Sequence, residues 1–191
     1  MAPLITDRVQ ENGRAWKFTL TADRVLQAIE ILDKNDILPE VKTMQAARLL
    51  VRGKIRAEEA AHAVELAFKT ARGNEPQQSA GPQAISFTQD WEYICAAFLQ
   101  AYGLDLEKEL PRMHWRRFVG RLKSIPDSTR LAKIMEIRTR PMPKATRYNA
   151  EERAQLARLK AQYAIKSTQA DMADGLKDLF GVLAARAKAG D

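Results

Sequence analysis

The chain of 191 residues carries one cysteine, Cys95, and two histidines, His62 and His114. A single cysteine excludes an internal disulfide framework and a cysteine-based zinc site. Cys95 falls on the apolar side of a helix-spaced pattern, where it reads as a small buried hydrophobe. The histidines lie on different predicted helices with no second ligand at metal spacing, which favours structural or surface roles for both. Gly-x-Ser-x-Gly, His-Glu-x-x-His and the Walker-type phosphate loop are absent. Glu58-Glu59, Glu107 with Glu109, and Glu151-Glu152 sit near predicted helix starts, where acids offset the helix dipole without any need for catalysis. The expectation is a non-enzyme with no catalytic, cofactor-binding or metal-binding residues and no cofactor. No apolar run approaches the roughly 18 residues a membrane span requires. The N-terminal residues also lack the apolar core of a secretion signal, so an intracellular protein without a membrane partner is expected.

What is present is enough to fold. Hydrophobic residues make up 46% of the chain, which supports a packed core. Asn12-Gly13 offers a hairpin turn, and Trp16, Phe18 and Leu20 alternate with Lys17 and Thr19 like a strand with one buried face. From Thr21 the spacing turns helical. Thr21 is placed to cap Ala22–Asp33, with Val25, Leu26, Ile29 and Leu32 on one side. Pro39 suits the first turn of a second helix with Val41, Met44, Ala47, Leu50 and Val51 inward. A third covers about 57–72 on an alanine-rich face. Residues 73–82 hold two Gly and two Pro and read as a linker or long loop. Helices follow at about 88–102, from Pro111, from Pro126 to Ile137, and from Asn149 to about Ile165. Asn149 with Glu152 resembles a capping box. Met172, Leu176, Leu179, Phe180 and Leu183 form an apolar stripe on a terminal amphipathic helix, a candidate for self-association or partner contact. The predicted fold is mainly α: a compact multi-helix bundle with a short N-terminal β-hairpin and an amphipathic C-terminal helix. Its segments are 1–72 (hairpin and helices), 73–86 (linker), 87–165 (aromatic-rich helical core) and 166–191 (helical extension), in one domain overall.

Charge is sorted along the chain. Seven of 13 aromatics lie within Phe87–Phe118, ahead of a basic stretch. Between Arg112 and Arg147 eleven Lys and Arg face only Asp127 and Glu136, a local excess larger than the +7 of the whole chain. Trp115, Phe118, Val119 and Leu122 share one side of a predicted helix, and Arg112, Arg116, Arg117 and Arg121 take the other. That face reads either as a solvated surface or as one built to meet acidic partner residues. Nucleic acid is disfavoured, because the aromatics fit helix spacing better than a base-stacking strand.

These pieces, in order, resemble the bacteriophage "gene product fifteen" family of tail-assembly proteins. The residues that carry the likeness are Thr21-Ala22-Asp23-Arg24, Phe87-x-x-Asp90, and Phe98-Leu99-Gln100-Ala101-Tyr102-Gly103-Leu104-Asp105-Leu106. They continue with Met113-His114-Trp115-x-x-Phe118, Ser128-Thr129-x-Leu131, Ile137-Arg138-Thr139 and Leu159-Lys160-x-x-Tyr163-Ala164. The likeness spans about 8–165; the 73–82 stretch looks longer than the family pattern and 168–189 looks like an extension. It implies a tail-assembly chaperone in the host cytoplasm that binds the tape-measure protein and tail-tube subunits, with homo-oligomerisation as a further expectation. The alternatives are a structural tail component retained in the virion, or a basic nucleic-acid-binding phage protein.

Overall fold

In the computed structural model, which describes residues 7–73 and 84–165 apart from positions 12 and 35, the alternating N-terminal stretch folds back on itself. Strands β1 (Arg8–Glu11) and β2 (Arg14–Lys17) pair antiparallel, with Val9 opposite Trp16 and Arg8 opposite Lys17. Gly13 takes the turn at φ +74°, a region glycine enters without steric cost. Asn12 lies outside the described residues. Trp16, Phe18 and Leu20 are all buried, as the alternation requires. Two strands alone are marginal in water. The extension beyond β2 therefore leans on helices: Phe18 bridges Val51, and the Thr19 N–H donates to Leu50 O at 2.7 Å.

The described residues are mainly helical, with eight α-helices, and cluster into two compact units. The first takes in residues 7–73 and Glu107–Gly120. It holds the hairpin, α1 (Ala22–Asp33), α2 (Pro39–Leu50), a 3-10 turn at Ala57–Glu59 and α3 (Ala60–Arg72). Ala28, Ala46, Ala47, Ala63 and Ala67 are fully buried; side chains this small let helix backbones approach closely. Three local readings need correction. The Thr21 side chain makes no capping bond, although Thr21 holds the N-cap position and stands opposite His114 in a bridge. Val41 is exposed, since the buried side of α2 is set by Ala46, Ala47 and Leu50. The helix expected from Pro111 starts at Trp115. The Ala22 N–H donates to Met113 O and the Trp115 N–H to Leu20 O, both at 2.8 Å, which holds His114 in a bridge to Thr21 ahead of the helix, after a turn at residues 110–112.

The second unit takes in residues 84–106 and 121–165. It contains α4 (Trp91–Tyr102), α7 (Arg130–Thr139) and α8 (Ala150–Gln162). Gly103 ends α4 in the left-handed conformation at φ +63°, as its place after Tyr102 suggests. Thr129 caps α7, its hydroxyl accepting from the Ala132 N–H at 3.2 Å. Asn149 does not form a capping box at α8; its side chain turns back to the loop before the helix. One short helix, α5 (Leu106–Glu109), precedes the segment from Pro111, and α6 (Trp115–Lys123) follows it. The linker residues 74–83, the stripe Met172, Leu176, Leu179, Phe180 and Leu183, and the C-terminal helix that would carry it lie outside the described residues. No helix among the described residues is long and apolar enough to cross a membrane.

Candidate partner-binding surface

The two sides of α6 separate as the spacing dictates. Trp115, Phe118, Val119 and Leu122 are buried, with the Trp115 and Phe118 rings 5.3 Å apart. Arg112, Arg116 and Arg117 are exposed in the first unit; Arg121 is half-buried and belongs to the second. The four arginines are not equivalent. Arg112 and Arg117 point to solvent, whereas Arg116 is tied down. Its Nη2 donates to Thr70 O at 2.6 Å and its Nε to Ala71 O at 3.4 Å. These carbonyls belong to the last turn of α3, where carbonyl groups have no helical partner and a cation is favoured by the dipole. Gly73, at φ +73°, leaves room for this: a Cβ there would stand 2.9 Å from the Arg116 guanidinium carbon. Arg116 is thus the C-terminal cap of α3. The Arg121 backbone carbonyl accepts from the Tyr102 hydroxyl at 2.7 Å.

A second arginine of the basic stretch turns inward. Arg138 and Asp90 form a bidentate pair in the second unit, at 2.5 Å (Nη1 to Oδ2) and 2.8 Å (Nη2 to Oδ1). The side chains are only 9% and 2% exposed, so the pair is shielded from solvent. Backbone groups add to the pair. Arg138 Nη1 donates to Ala84 O at 3.0 Å and Nε to Tyr163 O at 2.6 Å; Asp90 Oδ2 also accepts from the Ser86 N–H at 2.8 Å. The Arg138 carbonyl accepts from Lys160 Nζ at 2.7 Å, and burial lowers the Lys160 pKa from its ordinary value. This network ties α4, α7 and the end of α8 to the segment entering at Ala84. The charge count alone places Arg138 in the basic stretch, and the count names no partner for Asp90. A signal existed: Arg138 follows Leu131 and Ile134 at i+7 and i+4, and Asp90 precedes Ile94 at i−4. Arg138 falls on the buried face of α7 and Asp90 lies in line with the buried face of α4 just ahead of it, and a buried charge needs a partner.

A third cluster fastens the hairpin to the start of α3. Arg14 pairs with Glu59 and lies over the Trp16 ring, 4.1 Å from its centroid. Glu59 also accepts from Arg56, whose Nη2 stands 3.0 Å from Oε1. The hydrogen bonds from Arg14 and then Arg56 hold the Glu59 carboxyl at about 2, well below its ordinary 4.5. His62 lies edge-on to Trp16, centroids 6.0 Å apart, and 2.8 Å from Glu11 Oε2. His114 Nε2 is 2.9 Å from Asp7 Oδ1, while its Nδ1 accepts from the Arg116 N–H at 3.1 Å. These contacts give both histidines structural work. Among the described residues no three His, Cys, Asp or Glu side chains gather as metal ligands. An open groove between α1 and α2 has Ile31 and Leu49 in its lining, with Glu30, Lys34 and Arg48 around them. It brings no nucleophile and base together.

Comparison with known proteins adds one finding. The model of the family described as Bacteriophage Gp15 protein matches residues 3–165. No curated protein and no solved structure matches the chain.

Proposed function

The chain belongs to the Bacteriophage Gp15 protein family, and from that premise we propose that it acts as a tail-assembly chaperone. In this reading it holds the tape-measure protein, or tail-tube subunits, while the tail forms. The observation that carries the reading is the division of α6. Its apolar side is sealed in the interior, while Arg112 and Arg117 stand exposed beside it. An exposed cationic surface suits an assembly factor because exposed ion pairs are individually weak, so a client is held reversibly and released when the tube closes. Such a surface also speeds encounter with acidic segments. The described residues supply no competing catalytic arrangement to organise around.

Arg116 is committed to α3 and Arg121 is half-buried in the other unit, so in this reading Arg112 and Arg117 carry the contact with the client. Co-expression with the tape-measure protein of the same phage tests the reading: the client stays soluble and co-purifies. A client that aggregates whether or not this chain is present counts against it. Mass spectrometry of purified virions separates a chaperone, which is absent from the particle, from a structural tail component, which is retained.

A further inference from the structure

The loop between α7 and α8 presents apolar side chains to solvent while being held in place. Arg140 and Met142 each precede a proline, Pro141 and Pro143, and a residue before proline is confined to extended conformations. Arg140 accordingly sits at φ −54° and ψ 124°. Downstream, the loop is braced three times. The Thr146 N–H donates to Asn149 Oδ1 at 2.8 Å, Asn149 Nδ2 donates to Lys144 O at 2.9 Å, and Arg153 donates to Pro143 O. On this braced segment Tyr148 is 89% exposed and Met142 40%. Tyr148 buries little within the described fold and Met142 leaves much of its side chain outside, and both residue types are enriched where proteins meet. Arg140, Lys144 and Arg147 share the loop, and residues 140–149 contain no acid.

We infer that the 140–149 loop is a docking surface for an acidic, amphipathic polypeptide segment, with Tyr148 and Met142 as apolar anchors and Lys144 and Arg147 as the charge that selects the partner. The inference deepens the chaperone reading, since it names the chemistry of a client segment, and it rests on that reading only for the client's identity. Glu152 pairs with Arg140 at 3.6 Å, so the loop's outward charge is carried by Lys144 and Arg147. One observation favours a polypeptide over a nucleic acid: the loop offers a single aromatic, where a single strand is gripped by successive stacking rings. The bracing matters energetically, because a loop ordered before binding gives up little freedom when the partner arrives.

Fluorescence anisotropy with the full chain tests this. Three labelled probes are compared: a leucine–glutamate peptide with helical spacing, the same peptide with lysine for glutamate, and a short oligothymidylate. The acidic peptide should bind saturably and more tightly than the other two. Met142→Ser with Tyr148→Ser should weaken it about ten-fold, and Lys144→Glu with Arg147→Glu should weaken it similarly and reverse the preference between peptides. All four side chains are exposed, so circular dichroism of both variants should match the wild type. Equal binding of the two peptides, unchanged binding by either variant, or tighter binding of the oligothymidylate would overturn the inference. Repeating the tape-measure co-purification with these variants separates the two readings. If the wild type and both variants retain the client, the chaperone reading stands and the loop falls. If the wild type fails to retain it, the chaperone reading falls, while the peptide result still decides the loop.

Discussion

Asp90 and Arg138 carry the largest single-residue consequence. Each is a charge removed from water, tolerable because the other and three backbone groups compensate it. Arg138→Ala leaves Asp90 buried without its counter-charge and should cost about 3–5 kcal/mol in urea unfolding. Replacing both, Asp90→Leu with Arg138→Met, should cost clearly less than Arg138→Ala alone, because no orphan charge remains. A double variant as unstable as the single one would show that the pair is not what sets the cost. Glu59 gives a pH-dependent counterpart. Its folded pKa of about 2 lies below the ordinary 4.5, so its stabilisation is fully present above 4.5 and is lost as pH falls through about 2. The stability gap between wild type and Glu59→Gln, measured by denaturant at stepped pH, should narrow across that window. A gap that stays constant from pH 5 to 2 would remove Arg14 and Arg56 as its cause.

The elements themselves were mostly readable from periodicity. The sides of α6 and the stop of α4 at Gly103 fall where apolar spacing and glycine place them. Several of the errors come from a side chain or backbone group engaged by a partner that the local pattern does not show. Thr21 and His114 face each other in a bridge closed by the Ala22–Met113 and Trp115–Leu20 hydrogen bonds, and α6 starts only at Trp115. Asn149 braces its own loop and not the helix. Arg116 looks, by spacing, like any cation on the polar side of α6, and no local pattern shows that it reaches the end of α3. Such pairings are set by tertiary geometry, which a single sequence does not print. At this scale, Arg116→Ala should destabilise by about 1 kcal/mol through loss of the α3 cap, while Arg117→Ala stays within about 0.5 kcal/mol. Gly73→Ala should also destabilise, since it combines a positive φ with a Cβ against the Arg116 guanidinium. Equal effects of Arg116→Ala and Arg117→Ala in thermal unfolding would contradict the cap.

For the whole molecule, a basic balance of +7 does not make every cation available. Arg138 is sealed inside, Arg116 closes a helix and Arg130 lies 5.5 Å from the Tyr93 ring centroid, while Arg112 and Arg117 remain at the surface. The chain thus devotes part of its charge to architecture and presents the rest outward. Its working part, on this account, is an exposed surface that holds a polypeptide. The most direct measurement is co-purification of the tape-measure protein with the wild type and with Arg112→Glu/Arg117→Glu, at matched helix content. The account predicts that the wild type retains the client and that the variant retains about ten-fold less. Equal retention by both would contradict it.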